Sequence, residues 1–314
     1  MTLLSVIIPF LNEEENIPQL ASSLNNFFNE GKSYQGEIIF VNDGSTDNSI
    51  KVLESQNFPN VKVKLVSFSK NYGSHAALRA GILHASGDYI TFVYADLQDP
   101  LTLVDQMFNK VQNDNANEII WATRRTTNNG LFESTFSKVY AKLMKKYVVS
   151  SYPAKGFDVV MFSKKVAQLL NNNIENNSSI FLQILTLGFK QDFVSYDKQE
   201  RKKGKSKWTL KKKIKLFVDS FIAFSYTPIR FVTLVGIAMF CLGILFSLYL
   251  IVRKITTNDL VSGWTMLITI LMLGFGITNI SLGIIAEYLW RTLDNTRNRP
   301  VFIIDQIIEL TNEK

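Results

Sequence analysis

Residues 231–252, FVTLVGIAMFCLGILFSLYLIV, run for 22 positions without a charged side chain, and residues 260–286 do so for 27 more. About 20 apolar residues in a helix match the hydrocarbon thickness of a bilayer. Uncharged runs of this length are rare in the buried helices of soluble proteins, so the two runs predict two transmembrane helices. The short Arg253–Asp259 segment between them predicts a helical hairpin.

The charge of the chain is distributed around that hairpin. Residues 1–200 carry 18 basic and 20 acidic side chains, whereas residues 201–314 carry 16 and 7. Nine of the basic residues fall between Arg201 and Lys215, and Arg291, Arg297 and Arg299 follow the second run. The positive-inside rule then places both termini in the cytosol. Within KKKIKLFVDSFIAFSYTP, the residues Ile214, Phe217, Val218, Phe221 and Ile222 form one apolar stripe headed by lysines. That pattern predicts an amphipathic interfacial helix drawn to anionic lipid, and it makes the membrane, with no nucleic acid, the partner of the basic patch. A single cysteine, Cys241, excludes a disulfide framework or a thiolate metal site. The two histidines, His75 and His84, are expected to be packing or surface residues. The start, MTLLSVIIPF, reads as a core strand and not as a signal peptide.

Ahead of Arg201 the pattern alternates. The runs 4–10, 36–43, 62–69 and 88–96 are short and apolar, and helix-like stretches lie between them at Glu14–Phe28, Asp47–Glu54 and His75–Ala85. Such alternation predicts an α/β domain with a mostly parallel sheet covered on both faces. Ligands of these sheets bind beyond the carboxyl ends of the strands. Each run is indeed followed by a polar block: PFLNEEEN, NDGSTDNS, SKNYGSHAA and YADLQDP. The expected organisation is a cytosolic domain over 1–200, a basic interfacial region over 201–228, a two-span hairpin over 229–290 and a cytosolic tail over 291–314.

The blocks SVIIPFLNEEENI, VNDGSTDNS, GILHASGDYITF and ADLQDP resemble the inverting glycosyltransferases of family 2, with their Rossmann-like GT-A nucleotide-sugar domain. More narrowly, ADLQDP, KGFDVVMFSKK and the 200–230 block ahead of two spans resemble the dolichyl- and polyprenyl-phosphate sugar transferases. The resemblance covers roughly residues 1–290. It implies a nucleotide-sugar donor, UDP-linked, bound by Pro9, Asn12, Glu13, Asp43, Lys70 and Asn71. Asp43 could instead cap its own turn and the helix near Asp47, and Glu13 could instead complement a helix dipole. The resemblance also implies Mg²⁺ or Mn²⁺ held mainly by Asp96, with Gln98 in support. Asp96 and Asp158 are the implied catalytic acids, Asp158 acting to orient or only as the partner of an arginine. Relatives read Asp-Ala-Asp-Leu-Gln at the metal block, whereas this chain has Tyr94 at the first position; either Asp96 alone suffices because phosphate oxygens complete the shell, or metal binding is weaker or lost and basic side chains hold the diphosphate.

A polyprenyl (undecaprenyl) phosphate acceptor implies a positive pocket near the membrane, for which Arg124, Arg125, Arg201 and Lys207 are the candidates. Its phosphate, with a second pKa near 6, attacks without a strong base. Direct displacement then gives inversion. A diacylglycerol or lipid-linked glycan would instead require Asp158 or Asp99 as base, and a degenerate homologue would act as a scaffold. The implied localisation is the inner (plasma) membrane with the catalytic domain cytosolic, and self-association of the spans implies a homo-oligomer.

Overall fold

The computed structural model describes residues 1–114, 116–125, 140–147, 149, 151–153, 156–174, 179–199, 227–257, 263–297 and 299–310. The chain divides into two compact units, one running from Met1 to Phe217 and resuming at Pro300, the other spanning Val218–Arg299.

The first unit is built on β1 (Leu3–Phe10), β2 (Gln35–Asn42), β3 (Lys62–Phe68) and β4 (Tyr89–Phe92). β1 pairs in parallel with both β2 and β4, and β2 pairs in parallel with β3. From Leu4 to Phe10 every residue of β1 is buried, as expected for a central strand covered on both faces. Between the strands run α1 (Ile17–Asn29), α2 (Ser49–Glu54) and α3 (Ser74–His84). Helix α1 has Pro18 in its first turn and turns Ile17, Leu20, Ala21, Leu24 and Phe27 inward, a 3–4 spacing that makes one apolar face. Truncating fully buried Leu20 to alanine should cost about 2–5 kcal/mol. Helix α3 lies flush on β1, because a Cβ at Gly81 would come within 2.2 Å of Ile7 Cγ2.

Beyond β4 the chain adds α4 (Thr102–Asn113), β5 (Ile119–Arg124), β6 (Val159–Ser163) and β7 (Gln191–Tyr196). β6 runs antiparallel to β4 and β5, while β7 runs parallel to β5. The resulting mixed, mostly parallel sheet has the order β7-β5-β6-β4-β1-β2-β3-β8. Its last member, β8 (Ile304–Glu309), pairs antiparallel with β3, and Phe302 stacks on Phe68 at 5.1 Å. Part of the expected C-terminal tail is therefore a strand of the sheet.

β4 stops at Phe92, four residues short of the expected run. Val93 still donates to the Ile7 carbonyl, but Leu97 folds back to the Tyr94 carbonyl, so residues 94–99 form a loop. The second unit holds two helices, Thr227–Thr257 and Trp264–Thr296. Arg253–Thr257, expected in the connecting loop, are helical. Among the described residues one helix is long and apolar enough to cross a membrane, through the window Leu273–Trp290 with mean hydropathy 1.2, and Arg230–Phe246 is a shorter apolar stretch. The expected interfacial helix lies outside the described residues.

Candidate active site

The carboxyl ends of β1 to β4 lie along one edge of the sheet, and the loops that follow them are sewn together. The Asp43 amide donates to the Phe10 carbonyl at 2.9 Å. Its carboxylate, 5% exposed, accepts from the Tyr72 amide at 2.7 Å and the Gly73 amide at 3.0 Å. The turn after β2 is capped by Asn42 through the Ser45 amide at 2.9 Å, and Asp47 accepts from the Ser49 amide at 3.0 Å. The second and third loops touch at Gly44, whose φ is +72° and whose Cβ would meet the Lys70 carbonyl carbon at 2.4 Å. Only glycine fits there. Asn12, left-handed at φ 52°, donates its amide to Ser45 Oγ at 2.9 Å and accepts from the Thr46 amide at 2.8 Å. Glu13 accepts from Asn16 Nδ2 at 2.6 Å and precedes α1, whose first turn has no acid. Lys70 and Asn71 are exposed on the rim, and Pro9 is buried in β1 beneath it.

On the other side of β1, four strand ends converge. Tyr196, closing β7, donates its hydroxyl to Asp99 Oδ1 at 2.5 Å and lies 3.2 Å from Asp158 Oδ2. Arg124, closing β5, grips Asp158 at the start of β6, its Nε donating to Oδ2 at 2.5 Å and its Nη2 to Oδ1. Lys198 Nζ stands 3.4 Å from Asp99 Oδ1 and 3.6 Å from Asp158 Oδ1. Burial pushes the Asp99 carboxyl above its usual range, against the pull of Lys198 and Tyr196. Burial, and then Asp99, Asp158 and Asp96, push the Tyr94 phenol far up as well. Tyr94 is thus a neutral hydroxyl donor among carboxylates.

The loop itself is strained. Leu97 has φ 57°, costing about 1–2 kcal/mol for a residue with a Cβ, and packing of its side chain against the core holds it there. This turn presents Asp96 and Gln98 side by side. The Gln98 amide donates to Asp96 Oδ1 at 3.2 Å, and Gln98 Nε2 donates to the Gln199 carbonyl at 3.4 Å, leaving the amide oxygen as acceptor. Among the described residues no three His, Cys, Asp or Glu side chains group to enclose an ion. Asp96 and Gln98 fit a divalent cation that takes most of its shell from phosphate and water, as Mg²⁺ does.

Of the residues expected on the acceptor side, Arg124 is engaged with Asp158, and Arg125 lies 3.5 Å from Asp197 on the surface. Arg201 and Lys207 lie outside the described residues. Tyr196 and Lys198 went unnoticed in the sequence, where the only trace is that SYDKQE joins a strand end to the basic run.

The sequence pattern of "Glycosyl transferase family 2" matches residues 5–170. The chain belongs to this family. This glycosyltransferase is 31% identical over 311 residues to the "Uncharacterized glycosyltransferase YkcC" of Bacillus subtilis, covering 99% of this chain and 95% of that one. It is 31% identical over 305 residues to the "Prophage bactoprenol glucosyl transferase homolog" of Escherichia coli K12, covering 97% and 99%. Among solved structures, mannosyl-3-phosphoglycerate synthase from Rubrobacter xylanophilus aligns with TM-score 0.49 and 12% identity, covering 69% of this chain and 71% of that one.

Proposed function

We propose that this glycosyltransferase moves a sugar from a UDP-linked donor to undecaprenyl phosphate at the cytosolic face of the plasma membrane, with inversion. The observation that carries the reading is end-to-end likeness, over 97% of this chain, to a protein named a bactoprenol glucosyl transferase homolog. Because that likeness runs through both long helices, it supports an acceptor dissolved in the membrane. Leu234, Leu245, Phe275 and Ile280 on those helices are 67%, 63%, 67% and 64% exposed within the chain, which suits lipid contact.

The rim fixed by Asp43 and Gly44 orients the nucleotide. A divalent cation on Asp96 and Gln98 would offset the charge that grows on the departing diphosphate. Tyr94 adds a hydroxyl donor at the same place without adding charge. The acceptor phosphate is already an anion and needs no base, which agrees with the state of the acids. Both oxygens of Asp158 are taken by the Arg124 guanidinium, and Asp99 is buried under Tyr196 and Lys198, so neither is placed to take a proton from a hydroxyl acceptor. Asp158 instead holds Arg124 in a fixed pose.

Membranes containing the protein, given a panel of labelled nucleotide sugars and undecaprenyl phosphate, should yield a lipid product cleaved by mild acid, as a glycosyl phosphodiester is. Chelator should abolish its formation and Mn²⁺ or Mg²⁺ restore it. An acid-stable product would point to a hydroxyl acceptor, and full activity in chelator would remove the cation.

A further inference from the structure

Behind the Asp43 rim lies a row of aromatic rings, and its far end belongs to the segment that leads into β8. Phe302 stacks on Phe68 with ring centroids 5.1 Å apart and planes 15° from parallel. Phe68, 4% exposed, meets Tyr72 edge-on at 5.6 Å and 87°. The Lys70 ammonium lies 5.2 Å from the centre of the Tyr72 ring. The backbone of this same Tyr72 supplies the amide that donates to Asp43 at 2.7 Å. The row thus runs from a residue just beyond the second long helix, Trp264–Thr296, to the carboxylate at the end of β2.

The edge of the sheet delivers Phe302 to that place. β8 pairs with β3 through Ser67 and Gln306, then slips by one residue so that Phe68 pairs with Ile304. A bulge of this kind bends a strand and re-aims the side chains beside it. Past the slip, the Ser69 amide still donates to the Ile303 carbonyl at 3.2 Å, which brings Phe302 alongside Phe68. Tyr72 lies in the loop after β3, where no strand pairing sets its direction. Its ring is placed by Phe68 and Lys70, and its hydroxyl lies 3.5 Å from Ser69 Oγ. Aromatic pairs have preferred geometries that an aliphatic neighbour does not impose, so Phe302 fixes the tilt of Phe68 as well as covering it.

We propose that Phe302 is a positioning residue for donor binding. Through Phe68 it sets the Tyr72 ring, and with it the Tyr72 and Gly73 amides that hold Asp43 at the rim. The proposal rests on the nucleotide-sugar reading of that rim given above. What it adds is that the rim is completed by the segment following both long helices, so the donor site belongs to the whole chain and not to residues 1–200 alone.

Calorimetric titration of UDP, with Mg²⁺ in fixed excess, into the full-length protein in phosphatidylcholine nanodiscs tests it. Phe302→Ala should weaken UDP binding about three- to tenfold, the change that the energy of an aromatic pair allows. Phe302→Tyr keeps the ring and should bind as the wild type does. Ile308→Ala is the control, since Ile308 packs on the core from the same strand but is no part of the aromatic row. It should lower the melting midpoint and leave UDP binding unchanged. If Phe302→Ala unfolds the sheet edge, Phe302→Leu, which keeps apolar bulk and gives up the flat face, decides by the same criterion. UDP binding unchanged in the Phe302 variants, or weakened as much by Ile308→Ala, overturns the proposal while the donor reading stands. A wild-type protein that does not bind UDP removes both.

Discussion

Tyr94 stands where the family resemblance implies an acid, and its surroundings show what a carboxylate there would meet. Asp96, Asp99 and Asp158 all act on the phenol, so a fourth carboxylate at this point would be opposed by three of its own sign. Tyr94→Asp should tighten Mn²⁺ binding in the absence of nucleotide by about tenfold, or about 1.4 kcal/mol, while lowering the thermal midpoint of the metal-free protein. Mn²⁺ titration followed by electron paramagnetic resonance reads the first, and a melting curve the second. Tyr94→Phe should leave Mn²⁺ binding unchanged. Asp96→Asn removes the only negative charge that the Asp96–Gln98 pair offers a cation, and should lower transfer at least a hundredfold, about 3 kcal/mol of barrier, with an unchanged melting curve. The positions of these residues were legible because polar blocks follow apolar runs. Their partners were not. Asp43 accepts from amides 29 and 30 residues away, and no local spacing encodes such a bond.

Elements read well from the sequence where one periodicity governs them, and less well where long-range pairing ends them. β1, β2 and β3 lie within about one residue of the apolar runs. β4 ends early because the chain must turn at 94–97 to present Asp96, and β5, β6 and β7 are held by pairings across more than thirty residues. Helix α3 makes a separate prediction. His75 contacts the Phe181 ring edge-on at 5.8 Å, and its Nδ1 is buried without a hydrogen-bond partner. Burial, helped by Arg79, brings its pKa down from 6.5 to about 4. Between those values the unfolded chain binds the extra proton, so stability falls as pH falls through that window. Going from pH 7 to 4.5 should cost about 2 kcal/mol from this residue, and His75→Phe should lose that part of the pH slope in denaturant titrations.

At the scale of the molecule, the feature with most reach is β8. The chain leaves the sheet after β7, passes through both long helices, and rejoins the same sheet beside β3, with Leu310 donating to the Val63 carbonyl at 2.9 Å. Nothing in IDQIIE distinguishes it from a tail residue run, because an edge strand needs apolar residues on one face only. A Cys241→Ser background with cysteine placed at Asn258 or at Glu309 gives a labelling test. An impermeant thiol reagent added outside cells should modify the first and spare the second. Geometry alone supplies the parity: a path that departs from one folded body and is knitted back into it pierces any intervening lipid sheet an even number of times. It follows that cleaving the peptide between the two helices should not release the carboxyl-terminal fragment. The nicked halves should stay associated through the β3–β8 pairing and co-purify until the sheet itself is unfolded.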